Sequence, residues 1–409
     1  GAPFEKGLPP FRGAGGGRLF DKHTGRDCMR AGWSSRAGLV WAAAGSAVGF
    51  GNLLKFPAAL ERGGGAFLLL YLLIVCLMGM PLLCLEFWAG RRAGGGPPAV
   101  MGRLAVFPLL ACVFSLAYYL RLGGWTVSLL ARCAGLTLPS PAGALLFGAL
   151  TLAARRRGAP AIERCSRAAM PLLILLLTVL ALWAASLPGA GEALGAALRV
   201  EPSALPEQLL PALGQAFFSL SLGMGVMLTY GSYLPPGRSV SGEAAAVCLI
   251  DTLCALLAAA VVLPLGMDHA GDAAFFLGME RLLAPMPMGG LLAAAGLAAI
   301  LLAALTSSMG MADCIADAMP RAFVPLMPLM LLLASPTAMQ ASPAADWLPR
   351  TIDLVLLPAS EAALLVLLLV KTLGIFTRKY YKIGKNGEKP KKPWLKRGKR
   401  QRPRFGIFD

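Results

Sequence analysis

The sequence predicts an all-α integral membrane protein of about ten spans in which the first and sixth helices are broken. Three observations carry that prediction. Apolar residues fill 57% of the 409 positions and charged residues only 14%, with a mean hydropathy of +0.67, more than a water-soluble globule carries. Apolar runs of roughly the length that crosses about 30 Å of hydrocarbon recur near 37–59, 66–89, 105–132, 142–154, 168–187, 210–233, 245–267, 289–318, 322–339 and 352–376. Two of these runs hold a glycine pair preceded by small hydroxyl residues: Gly49-Phe50-Gly51 after Ser46, and Gly223-Met224-Gly225 after Ser219 and Ser221.

Residues 1–32 are glycine-rich and basic without an apolar signal core, so they read as a cytoplasmic tail and the first span as a retained helix. In that span Gly49 and Gly51 weaken the helix, because glycine packs no side chain and loses the most backbone entropy on ordering. One such glycine alone would be read as a close-packing position. A matched pair in two halves of a membrane protein points instead to a binding site at mid-membrane, since unwound backbone survives in lipid only where it lines a buried cavity.

The loops between spans set the orientation. Lys22, Arg26, Arg30 and Arg36 precede span one, Arg91, Arg92 and Arg103 follow span two, and Arg155, Arg156, Arg157, Arg164 and Arg167 follow span four. The alternate loops carry Glu192, Glu201, Glu207, Asp268, Asp272 and Glu280. Positive residues resist translocation, so both termini are expected in the cytoplasm. Residues 33–377 form the transmembrane domain, and 378–409 form a basic tail that supplies much of the net charge of +17. In a membrane protein such a tail is expected to lie on anionic lipid, and nucleic acid is not expected as a partner. The nine cysteines include Cys76, Cys84, Cys112, Cys248, Cys254 and Cys314 within spans; without metal-ligand spacing they read as small buried apolar residues.

The seventh span holds Asp251 within Val247-Cys248-Leu249-Ile250-Asp251-Thr252-Leu253-Cys254. A carboxylate inside a span costs several kcal/mol unless paired, so a functional role is the default reading.

The most specific strings are Trp33-Ser34-Ser35-Arg36, the run from Gly45 to Pro57, and Gly63-Gly64-Gly65-Ala66-Phe67. In the same order follow Gly79-Met80-Pro81, Glu86, Tyr118-Tyr119, Trp125, Ala161-Ile162-Glu163-Arg164, Met170-Pro171, Ser186-Leu187-Pro188-Gly189, Gly214 to Gly225 and Ala303 to Ser308. Over roughly 33–320 this series resembles the neurotransmitter:sodium symporter family, in its bacterial amino-acid-carrying form. The resemblance implies a LeuT-type 5+5 inverted-repeat fold, with repeat one at about 36–187 and repeat two at about 208–377. It also implies sodium-coupled amino-acid symport in a bacterial inner membrane, with two Na+ ions and no organic cofactor.

By that resemblance one sodium site uses Ala47, Asn52, Ser219 and Asp251, and the other uses Gly45, Val48, Ala303, Thr306 and Ser307. Sodium is a hard cation, and these residues offer it carbonyl, hydroxyl and carboxylate oxygens. Amine carriers of the family hold an aspartate where this chain has Gly49, so the glycine is expected to leave room for a substrate carboxylate. That carboxylate would meet the amides at Gly49 and Gly51 and the Tyr119 hydroxyl, beside Ala47, while the ammonium meets carbonyls near Phe218, Ser219 and Ser221. Ser115, Phe218, Met224, Ser307 and Met311 would surround a neutral, hydrophobic side chain. Asp251 takes the place of the charge that chloride-dependent members borrow from the anion, so chloride-independent transport is expected.

The gates implied are Lys55 with Asp353 and Phe218 on one side, and Trp33 with Arg36 on the other, the nearest acids for Arg36 being Asp313 and Asp317. No nucleophile and base stand at catalytic spacing, so an enzyme is not expected. A membrane sensor that binds an amino acid without carrying it is the alternative reading.

Overall fold

The computed structural model describes residues 32–235, 240–266, 288–321, 323 and 355–370, and every regular element among them is helical. Helix α1 (Arg36–Ala47) begins where extended Ser35 accepts the Gly38 N–H at 3.0 Å, a hydroxyl satisfying one of the unpaired first-turn donors. It ends where Val48 turns to an extended conformation at φ −69° and ψ 114°. The chain regains helical form in a wide turn at Gly51–Lys55 and enters α2 (Phe56–Ile74). Gly64, at φ +56° and ψ −154°, folds the chain over inside α2, so spans one and two meet between the limits 59 and 66 read from hydropathy. A second wide turn, Val75–Gly79, leads into α3 (Met80–Ala93), which Gly94 caps in the left-handed region.

Then come α4 (Pro97–Met101), α5 (Val106–Cys133), α6 (Ser140–Arg155), α7 (Ala159–Ala185) and α8 (Ala190–Leu198). Helix α7 starts earlier than the expected 168, because its first turns bury Ile162, Glu163 and Ser166 in a stretch too polar for hydropathy to find. Span six is split into α9 (Leu205–Ser219) and α10 (Val226–Ser232), as the second glycine pair predicts. Helices α11 (Ser241–Val262), α12 (Gly289–Ala318) and α13 (Leu357–Val370) complete the described chain. The ninth span beyond Phe323, the basic tail and the residues before 32 lie outside the described residues.

Helix α1 sits inside the bundle, packed by α7, α11 and α12, and its residues from Ala42 to Asn52 are buried. The rim faces outward with Leu77, Leu182 and Leu249 among its most exposed side chains, an arrangement that suits lipid and not water. Close approach depends on small residues: a Cβ on Gly231 would fall 2.8 Å from Phe87 Cα, and one on Gly90 would strike the Leu228 carbonyl. That contact joins α10 to α3. Of the six cysteines expected to be buried, five are, whereas Cys76 is exposed on the outer surface; a thiol is apolar enough to face either lipid or core.

Candidate ion and substrate site

The two breaks lie against each other, and Ser221 spans the gap by donating to the Ser46 carbonyl at 3.0 Å. Four buried polar side chains gather beside them. Asp251, fully buried in the middle of α11, accepts from Asn52 Nδ2 at 2.8 Å, from Ser219 Oγ at 2.7 Å and from the Tyr71 hydroxyl at 3.2 Å. Asn52 Nδ2 also lies 2.9 Å from Ser219 Oγ and 3.1 Å from the Asp251 carbonyl, while its Oδ1 accepts the Gly49 N–H at 3.1 Å. Among the described residues, the donors to Asp251 are neutral. The sequence reading brought Asn52, Ser219 and Asp251 together and missed Tyr71, which sits among Phe67, Leu68 and Leu70 with nothing local to mark it.

Oxygens also converge on the end of α1. Ser307 Oγ lies 2.9 Å from the Val48 carbonyl, 3.0 Å from that of Ser46 and 3.4 Å from that of Gly45, and its single proton can serve only one of them. Those carbonyls are available because α1 stops at Ala47. Thr306 Oγ1 turns back on its own helix, 3.0 Å from the carbonyls of both Leu302 and Ala303. The five residues expected here are therefore neighbours, with Gly45 close enough to Thr306 that a Cβ would approach its Cβ to 3.1 Å.

Around the breaks the expected substrate residues are packed in contact. A Cβ on Gly49 would strike the Tyr119 hydroxyl and come within 2.7 Å of Ser307 Oγ, and one on Gly51 would come within 2.7 Å of the Phe218 ring. The space expected beside Gly49 is thus taken up by two hydroxyls. The Phe50 N–H donates to the Tyr119 hydroxyl at 3.2 Å, and the Gly51 carbonyl is held by Gln215 Nε2 at 2.8 Å. Ala47, Met224 and Met311 are buried; the carbonyl of Met311 accepts from Cys112 and that of Met224 from Cys314, which tie them to α5 and α12. Ser115 is fully buried, and its hydroxyl meets no partner among the described residues.

Both approaches to this cluster are covered. Lys55 Nζ sits 3.7 Å from the Phe218 ring centroid and 5.6 Å from that of Tyr118, a cation over aromatic faces. Its expected partner Asp353 lies outside the described residues. At the other end Trp33 Nε1 donates to the Tyr230 carbonyl at 3.0 Å and packs edge-on against Tyr230 and Tyr233. Arg36 pairs with Glu243 at 2.6 Å, a partner the sequence left open, and not with Asp313 or Asp317, the acids nearest the position the resemblance implies. Asp313 is instead engaged by Arg155 at 3.3 Å and Tyr233 at 2.9 Å, and Asp317 accepts the Gly96 N–H at 3.1 Å. Glu243 opens α11, so nothing after span eight is needed to hold Arg36. Ser34 adds a further tie by donating from its N–H and hydroxyl to Glu163.

Two split helices joined around a buried carboxylate and a cluster of carbonyls form a buried, oxygen-lined site. The model of one family, "Sodium:neurotransmitter symporter family", matches residues 30–140 and 165–328. The chain belongs to the sodium:neurotransmitter symporter family. A relative from Bacillus subtilis, described as the uncharacterized sodium-dependent transporter YhdH, is 35% identical over 69% of this chain and 71% of its own. An uncharacterized sodium-dependent transporter of Haemophilus influenzae is 30% identical over 70% of this chain and 73% of its own. The crystal structure of MhsT in complex with L-phenylalanine superposes with a TM-score of 0.74 at 28% identity, covering 82% of this chain and 89% of that one. The fold is accordingly LeuT-type, and this symporter is an integral membrane protein that uses sodium.

Proposed function

We propose that this symporter carries a neutral, hydrophobic amino acid with two sodium ions, without chloride, at the site between the two breaks. The observation that carries the reading is Asp251. A carboxylate fully buried in a membrane helix, held among the described residues by three neutral donors, is a charge that a bound cation would neutralise. It supplies a fixed negative charge at the first ion site, which leaves no need for an anion there.

Asn52 links ion to substrate. To face a cation it must turn its Oδ1 toward Asp251 and Ser219, and that movement releases the Gly49 N–H that Oδ1 now accepts. The freed amide then becomes a donor for the substrate carboxylate, with the Tyr119 hydroxyl and, after its own bond yields, the Phe50 N–H beside it. The second ion would take the place of the Ser307 hydrogen bond among the carbonyls of Gly45 and Val48, the hydroxyl keeping its proton and turning its oxygen to the ion, with Ala303 and Thr306 completing an uncharged oxygen set. Sodium therefore prepares the first break before the amino acid arrives. Ser115, Phe218, Met224 and Met311 form the apolar side of the pocket, and the L-phenylalanine bound by MhsT suits such a lining.

Lys55 over Phe218 acts as the outer cover and the Trp33, Arg36 and Glu243 contacts as the inner one, opened in turn by rocking of the repeats at about 36–187 and 208–377. The Arg-rich loops support a reading in which both termini lie in the cytoplasm of a bacterial inner membrane, and the basic tail supports one in which it rests on anionic lipid. The test is a thermal-shift screen of the twenty amino acids with and without sodium, repeated with chloride replaced by gluconate, followed by uptake into proteoliposomes. Sodium-dependent stabilisation by a hydrophobic amino acid and its accumulation without chloride are expected. Binding without accumulation identifies a sensor, and no stabilisation by any amino acid in sodium overturns the substrate assignment.

A further inference from the structure

Two hydroxyls beside the breaks are buried and unused. Ser46 is the penultimate residue of α1 and Tyr230 belongs to α10, and both side chains are more than nine-tenths buried. Neither hydroxyl meets a hydrogen-bond partner among the described residues. Their backbones, by contrast, are engaged: the Ser46 carbonyl is met by the hydroxyls of Ser221 and Ser307, each at 3.0 Å, and the Tyr230 carbonyl by Trp33 Nε1. Both hydroxyls border one point, the missing side chain of Gly310 in α12. A Cβ there would strike the Ser46 hydroxyl and come within 2.9 Å of the Tyr230 hydroxyl. Gly310 lies inside a regular helix and outside the left-handed region, where glycine costs stability relative to alanine. What it contributes is the notch.

The notch adjoins the breaks. Gly310 follows Ser307 by three residues and precedes Met311, and Ser307 itself bonds the Val48 carbonyl and borders Gly49. Three residues of helix rise about 4.5 Å, so the notch lies roughly one turn from the end of the site formed by Gly49 and Tyr119. A substrate held there by its carboxylate reaches the notch only with a long side chain. Buried hydroxyls left unpaired are costly, and two of them facing one gap are both satisfied by a group that donates and accepts. A methyl or phenyl tip does neither, and a charged tip would bring its own desolvation penalty to a notch without a counter-charge. A phenol gives its proton to one hydroxyl and receives a proton from the other.

We propose that the notch bounded by Ser46, Tyr230 and Gly310 receives the hydroxyl of a phenolic side chain, so that the amino acid carried is tyrosine and not a purely apolar one. The inference rests on the reading that places the substrate between the breaks. Ser46 and Tyr230 are specificity residues: the first break takes the carboxylate, and these two read the far end of the side chain. The ring between them lies along Met311, whose polarisable thioether suits an aromatic neighbour. Phenylalanine in the same place leaves both hydroxyls buried and unpaired, which is how a site built around a substrate hydroxyl discriminates against the analogue that lacks it.

The test compares L-tyrosine with L-phenylalanine binding to the full chain in nanodiscs, in saturating sodium, by scintillation proximity. Wild type should bind tyrosine about tenfold more tightly or better. Tyr230→Phe removes one oxygen from a buried ring without changing its shape, and Ser46→Ala removes the other. Each should lower the tyrosine-to-phenylalanine affinity ratio about fivefold, and together they should bring it close to one. O-methyl-L-tyrosine, which cannot donate, should bind more weakly than tyrosine. Equal wild-type affinities, or a ratio that neither substitution changes, overturn the inference and leave the site between the breaks standing; that is the result expected if water alone fills the notch. Binding of neither amino acid in sodium overturns the inference together with the reading on which it rests.

Discussion

Gly49 and Gly51 lie outside the left-handed region, and what forbids a side chain there is the company: Tyr119 and Ser307 at the first, the Phe218 ring at the second. Gly223 and Gly225 stand at φ +73° and +77°, with Ser221 between the helix end and Gly223 also left-handed at φ +54°. The first break is limited by contacts and the second by backbone conformation. The same residue type therefore serves two purposes. At the first break glycine keeps the functional hydroxyls close to the main chain; at the second it lets α9 stop, reverse and restart as α10 within a few residues.

Alanine separates those roles. Gly49→Ala should remove sodium-dependent ligand stabilisation altogether, because the added methyl displaces the hydroxyls of both Tyr119 and Ser307, while the ligand-free melting temperature changes little. Gly225→Ala should do the reverse in order of severity: left-handed backbone costs an L-residue about 1–3 kcal/mol, and the methyl would also strike Pro97, so the ligand-free protein itself should melt earlier. Differential scanning fluorimetry with and without sodium and ligand measures both quantities in one experiment. A Gly49→Ala protein that is as unstable as Gly225→Ala would erase the distinction between the breaks.

Much of this site could be read from the order of residues. The hydroxyls before each glycine pair, the Asn52 that follows the first, and a carboxylate within span seven all sit in local patterns that membrane energetics makes conspicuous. What escaped was set by long-range packing. Tyr71 reaches Asp251 from a helix that reads as a plain apolar span, and Arg36 finds Glu243 across 207 positions, although acids nearer to the expected alignment were available. The contact-limited nature of the first break was also invisible, since a sequence shows that glycine leaves space and not which hydroxyl takes it.

The next largest effect separates the ion clusters that flank the first break. Asp251→Asn keeps the shape of the side chain and removes the charge, so sodium should no longer raise the melting temperature through that site, and chloride should begin to support binding. Ser307→Ala leaves the charge in place and deletes one neutral ligand, and sodium affinity should drop about tenfold, equivalent to about 1.4 kcal/mol. Sodium titrations followed by fluorescence or scintillation proximity rank the two. Equal losses would mean that charge is not what distinguishes the clusters.

The smallest expected effect lies on the cover shared by both breaks. Lys55 follows the first break directly, and Phe218 precedes the second, so their contact at 3.7 Å joins the contact-limited half to the conformation-limited half. A cation over an aromatic face is worth about 0.5–1 kcal/mol at a partly exposed site. Lys55→Met keeps the length and apolar stem of the side chain and removes the charge that lies over the Phe218 and Tyr118 rings, so the closed cover should be weakened. Ligand release should quicken by about two- to fivefold, because a closed cover of lower stability opens more often. Phe218→Leu, which removes the ring but keeps an apolar lid, should produce the same acceleration, and combining the two should add nothing further, as expected when each substitution removes the same contact. Additive acceleration in the double variant would show that Lys55 and Phe218 close the two breaks independently.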